Sequence, residues 1–141
     1  MDYMEFKKQQ ENQANEYTKG KIYFILEPSK DLVIKRLNEY GLKPGDVVGI
    51  GAGAYIKKEY YKDTLKFFDK QAKELKEYTL NNLNEVLTYE FANYELEISL
   101  SYTYKSFLIE VLGFNEKEIQ DNKKEINKAI KEYREDFYKH N

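Results

Sequence analysis

Apolar and polar positions along this chain change period several times, and each change marks an element. Residues 3–18 contain no Gly or Pro and are rich in Glu, Lys and Gln, which predicts a helix. Its apolar content is thin: Tyr3, Met4, Phe6, Ala14 and Tyr17. So narrow a stripe predicts a peripheral helix that docks lightly or pairs with another chain. Gly20 suits the left-handed position that ends it. The run Lys21-Ile22-Tyr23-Phe24-Ile25-Leu26, bounded by Gly20 and Pro28, reads as a buried strand. Ser29 is a natural N-cap for the next helix, where Leu32, Val33, Leu37 and Tyr40 recur at helical spacing as far as Gly41. Pro44-Gly45 predicts a type II turn, and Val47 to Ile50 a second strand.

From Lys57 the period becomes helical. Tyr61, Leu65, Phe68, Ala72 and Leu75 step by four and three, the seam of a long amphipathic helix. Asn82 with Glu85 forms a capping-box signature for a further helix, whose expected buried face is Leu83, Val86, Leu87, Phe91 and Tyr94. Residues 98–104 alternate at period two, which favours an extended or short β segment. Ser106 to Leu112 reads as a short helix ended by Gly113. Asn115 and Glu118 cap a last helix, carried to the C-terminus by Ile119, Ile126, Ile130, Tyr133 and Phe137.

The fold class that follows is α+β with helix dominant: a small β-sheet, with strands near 21–26 and 47–56, packed against several helices. The 141 residues are expected to form a single domain (1–141), with a peripheral N-terminal helix at 1–18, a β-containing part at 19–56 and a helical part at 57–141.

Composition removes several chemistries. No Cys is present, which excludes a disulfide framework, thiolate catalysis and sulfur-ligated zinc. The one histidine, His140, is expected at a frayed terminus, away from catalysis or metal binding. Fourteen Tyr and eight Phe with no Trp predict a largely aromatic core, with phenol hydroxyls at its rim that need partners. A formal net charge of −2 with both signs mixed argues against nucleic acid or an anionic membrane as partner. No signal-peptide pattern and no membrane-spanning apolar run is visible, so a soluble protein of the cytoplasm is expected. No cofactor is expected.

Three stretches carry candidate chemistry. Gly49, Gly51 and Gly53 alternate in the only cluster of small residues, with Lys57 and Lys58 following. If a helix starts just after those lysines, the loop Gly51-Ala52-Gly53 with Tyr55, Lys57, Lys58 and Tyr60 could hold an anion or nucleotide, Tyr55 or Tyr60 stacking on a base. Neither a Walker loop nor the dinucleotide fingerprint is present, and close packing of small residues or a bulge is the favoured explanation of the pattern. The span from Glu85 to Glu97 has carboxylates and no Lys or Arg. Glu90, Asn93 and Glu95 within it could meet a partner's basic groups or hold an oxygen-ligated Mg²⁺, against the plainer reading of an exposed helix face. The aromatic and basic stretch from Lys57 to Phe68 resembles single-strand-binding chemistry in composition, but its interspersed acids point to a core helix with Tyr at its rim.

Three short pieces, Ile50-Gly51-Ala52-Gly53-Ala54-Tyr55-Ile56, Tyr89-Glu90-Phe91-Ala92-Asn93-Tyr94-Glu95 and Val111-Leu112-Gly113-Phe114, resemble a family of small bacterial and phage proteins without assigned activity. The resemblance spans roughly residues 19–135. Where that family has a His after the Asn, this chain has Tyr94, which undercuts proton transfer there. The resemblance implies a phage or mobile-element accessory protein. The expected function is a non-enzymatic binding protein that sequesters or inhibits a host defence or regulatory protein. A homo-oligomer is expected from the apolar run at 61–75 and the thin first helix. The alternatives are a small anionic ligand at the Gly-rich stretch and, more distantly, a metal-dependent enzyme built on Glu90 and Glu95.

Overall fold

A computed structural model describes residues 1–140 and divides the chain into two compact units, Met1–Gln71 and Ala72–Asn141. The class is the helix-dominant α+β fold that the periodicity predicts, with one small antiparallel sheet.

The first unit opens with α1 (Tyr3–Thr18), capped by the Asp2 carboxylate accepting from Glu5 N–H, and Gly20 follows at φ +72°. Strand β1 (Ile22–Phe24) leads to α2 (Lys30–Glu39), where the Ser29 hydroxyl accepts from Leu32 N–H. Pro44–Asp46 forms a 3₁₀ turn in place of the expected type II turn, because the Asp46 carboxylate closes it by accepting from Lys43 N–H. The 47–56 stretch is then a hairpin of two strands, β2 (Val47–Gly51) and β3 (Ala54–Lys57). Strand order is β1-β3-β2, all neighbours antiparallel, with Ile22 opposite Ile56 and Gly49 opposite Tyr55. A bulge sits on β2 between Gly49 and Gly51.

Ile25, Leu37, Leu42 and Val47 form this unit's core between sheet and α2, flanked by Tyr23, Val33 and Tyr55. Ala54 and Ile56, on the opposite face of β3, are buried as well. The helix α3 (Tyr61–Asn81) begins in this unit and ends in the other. Its buried side here corrects the expected seam. Thr64 is fully buried and Phe67 and Gln71 are half-buried, while Leu65, Phe68 and Ala72 face solvent. What selects this face is α1: Tyr17 stacks on Phe67 with ring centroids 4.1 Å apart. Gln10 and Gln71 each donate a side-chain N–H to the other's backbone carbonyl, at 2.8 and 2.9 Å. A reciprocal amide pair at mid-helix fixes register in a way that apolar residues alone do not.

The second unit holds the end of α3, then α4 (Leu83–Asn93), α5 (Tyr104–Glu110), α6 (Glu116–Asp121) and α7 (Lys123–His140). The capping box at Asn115 and Glu118 is present, but it starts α6, and Asn122 separates that helix from α7. The box expected at Asn82 is absent. The Asn82 amide turns back to the Tyr78 carbonyl, and Glu85 accepts from the Tyr78 hydroxyl. Residues 98–104 are not a strand. Leu96–Ile98 is a 3₁₀ turn, and Thr103 caps α5 two residues ahead of the expected start, in a capping box with Ser106. His140 lies in the last turn of α7, its Nδ1 within hydrogen-bond distance of the Asp136 carbonyl.

The core of this unit is larger and aromatic. Phe91 of α4 meets Tyr104, Phe107 and Tyr133 at centroid distances of 5.1, 6.0 and 6.0 Å, and Leu87, Leu108, Ile126 and Ala129 close around them. The edge-to-face arrangements favour this cluster over a looser aliphatic one.

Candidate functional site

At the Gly-rich stretch local physics asks for glycine without reference to a ligand. Gly51, Ala52 and Gly53 all have positive φ (+96°, +52° and +77°), and Ala52-Gly53 are the centre of the β2–β3 turn. Positive φ at both central residues suits a two-residue hairpin, since it matches the strand twist. Gly53 is further constrained: a Cβ there would lie 2.5 Å from Leu26 Cδ2 and 2.9 Å from the Ile25 carbonyl. Its own carbonyl accepts from Ile25 N–H at 2.7 Å.

Lys57 ends strand β3, away from this turn, Lys58 opens a 3₁₀ turn at Lys58–Tyr60, and α3 starts only at Tyr61. Tyr55 packs toward the core of the first unit, while the Tyr60 ring lies 5.4 Å from the Lys21 ammonium. Lys57 and Lys58 line a cleft of about 410 Å³, which Asp46 and Glu59 share. The two carboxylates offset the field that an anion would need.

The acidic span is split. Glu90 is buried in α4, Asn93 is exposed at its end, and Glu95 is exposed beyond it at φ +50°. Among the described residues no group of three His, Cys, Asp or Glu could hold a metal ion, and no helix is long and apolar enough to cross a membrane.

A constellation that the sequence reading did not single out surrounds Glu97. This residue sits in the 3₁₀ turn after α4, and its side chain is only 9% exposed. Its carboxylate accepts from the Tyr104 and Tyr138 hydroxyls, both at 2.7 Å, and from Arg134 Nε at 3.1 Å. The Tyr104 bond foremost, then the Tyr138 bond and the Arg134 charge, hold the carboxyl below its ordinary range. Burial, and then the bond to Glu97, push the Tyr104 phenol well above its usual value. Every group is held away from neutral titration, an arrangement that ties chain segments together and does not suit proton transfer.

The segment that this network secures, 95–103, displays apolar side chains. Leu96 is buried in the core and the Tyr102 ring packs against Phe107. Between them the Ser99 hydroxyl accepts from Ser101 and Tyr102 N–H, forming a closed turn. From this braced loop Leu100 projects fully exposed and Ile98 is 60% exposed. Tyr94 and Glu95 lie just before it in the chain and are exposed too. The spacing of Arg134 and Tyr138, one helical turn apart, gives a faint signal of a shared face in sequence. Their convergence on Glu97 is purely tertiary.

Two open clefts accompany these features. A groove of about 1110 Å³ runs along α1 past Met4, Tyr17 and Phe67, lined otherwise by charged and amide side chains. A second, of about 550 Å³, lies beside Arg134 and Tyr138 on α7. Comparison with protein-family models, curated proteins and solved structures yields no match.

Proposed function

We propose that this chain is a non-enzymatic binding protein whose contact surface is the loop 94–102, and that it acts by occupying a partner protein. The observation that carries the reading is a fully exposed Leu100, with Ile98 beside it, on a loop tied down by the Glu97 network. Exposed apolar side chains cost solvation free energy, and on a flexible loop they would fold back onto the surface. Held on a braced turn, they are pre-organised to enter an apolar pocket without further loss of entropy.

The setting also specifies the partner's chemistry. From Thr79 to Tyr104 the chain has no Lys or Arg, while Glu95 stands exposed in the same loop. A partner that fits has an apolar pocket with a basic rim. A host defence or regulatory component, the target class implied by the phage-protein resemblance, fits this role.

The test is affinity capture with wild-type chain and with Leu100→Asp and Ile98→Asp, each checked for native circular dichroism. The expected result is a partner retained by wild-type protein, weakened by salt, and lost with either variant. Capture indifferent to both substitutions overturns the reading. So does a nucleotide-dependent rise in Tm that Lys57 and Lys58 substitution abolishes.

A further inference from the structure

The two outer edges of the sheet are built differently. On β2 the edge is broken by a bulge between Gly49 and Gly51, a common way of discouraging further pairing. On β1, only three residues long, no bulge is present. Ile22 to Leu26 is an uninterrupted apolar run with no charge or proline, and Phe24 and Leu26 are 70% and 83% exposed. Exposed, apolar and β-prone edges pair readily with another strand.

The hydrogen-bond pattern defines which groups are on offer. The Lys21 carbonyl accepts from Lys57 N–H, and Ile25 N–H donates to Gly53. Antiparallel ladders alternate, so Lys21, Tyr23 and Ile25 turn their backbone groups toward β3, while Ile22 and Phe24 turn theirs to the open edge. A second strand must therefore pair with the even-numbered residues.

We propose that two copies of this chain associate edge to edge through β1, antiparallel about a twofold axis at Phe24, to form a continuous six-stranded sheet. Centred there, Phe24 meets the second copy's Phe24 as a hydrogen-bonded pair, and Ile22 comes opposite Leu26, two residues beyond the end of β1. The same register sets Lys21 opposite Glu27 at each end, so the apolar run is flanked by opposite charges. Moving the axis to Ile22 loses both the apolar overlap and the charge pairing. Moving it to Leu26 brings Pro28, which lacks an N–H, opposite Phe24. The short strands bury modest area, so association on the order of micromolar is expected.

Sedimentation of the full chain across micromolar concentrations tests this, with a mass approaching twice 16.9 kDa expected. Lys21→Glu and Glu27→Lys each bring like charges together at both ends, and each should raise the dissociation constant about tenfold. Mixed in equal amounts, the two variants again have complementary ends, and dimer should return. Because the Lys21 ammonium also bonds the Tyr17 carbonyl, Phe24→Asp at the exposed centre provides a second route, and it should leave a folded monomer. A chain that is monomeric throughout overturns the proposal, as does a dimer that survives Phe24→Asp or single variants that fail to complement on mixing. Amide protection of β1 that arises only when a different protein is added assigns the edge to a foreign strand, and equally overturns self-pairing.

Discussion

The two units solve the same problem with unequal means. The second buries an aromatic cluster in which Phe91 and Phe107 are wholly inaccessible and α4, α5 and α7 contribute side chains. The first buries Ile25, Leu37, Leu42 and Val47 between three short strands and one helix, with Ala54 and Ile56 on the sheet's other face, and leaves Phe24, Leu26, Leu65 and Phe68 in solvent. Hydrophobic stabilisation scales with the area removed from water, so the helical unit has more to lose from truncation. The sheet unit relies more on backbone conformation and the Gln10–Gln71 pair. A small core with unused apolar surface is where association gains most, and this is why the proposed self-pairing edge falls in the first unit.

The contrast is sharpest under core truncation. Phe107→Ala should cost about 3–5 kcal/mol and Leu37→Ala, in a smaller core that collapses more easily, about 2–3 kcal/mol. Urea unfolding read by amide exchange in each unit checks both. Equal losses would mean that the cores are equivalent. Backbone strain gives the next effect. Gly53→Ala combines positive φ with the clash against Leu26 and Ile25, and should lower stability by about 2–3 kcal/mol. Gly51→Ala, with positive φ but open space, should lose only about 1 kcal/mol. Thermal unfolding of the pair separates packing from conformation.

The smallest effect is electrostatic and belongs to the second unit. Because the folded Glu97 carboxyl titrates below its ordinary value of 4.5, its contribution is complete above that pH and fades as pH falls through the depressed folded value. For Tyr104 the sign reverses. Its folded phenol is raised, so stability is lost as pH climbs past the ordinary 10.0 toward the folded value. Glu97→Gln should lower the neutral plateau of Tm and, with no carboxylate left to protonate, flatten its acid limb. An unchanged acid limb would remove Glu97 from the account.

Much of the helical pattern was legible because it depends on neighbours within one turn. Ser29, Asn115 and Gly20 act as their types and spacing predict, and the first helix spans Tyr3–Thr18. The Asn82 box failed for an equally local reason: the Tyr78 carbonyl and hydroxyl took both of its members. The alternation at 98–104 misled because Leu100 has no sheet to join. A period of two tells which residues would share a strand face, and the hydroxyls of Ser99 and Thr103 closed turns there first. In α3 the apolar spacing was real, but of its five residues Leu65, Phe68 and Ala72 face solvent and only Tyr61 and Leu75 are half-buried. Glycines 51 and 53 were found for their conformation, although a phosphate cradle and a hairpin turn ask for the same residue.

The chain by itself determined where several helices start, where the backbone must turn left-handed, and that neither thiol nor central imidazole chemistry is on offer. These follow from interactions a few residues long. Folding in three dimensions decided which face of α3 is covered, which edge of the sheet stays open, and that one carboxylate gathers two phenols and a guanidinium from 7 to 41 residues away. Those outcomes depend on which distant side chains exclude water together, a competition that spacing along the chain does not encode.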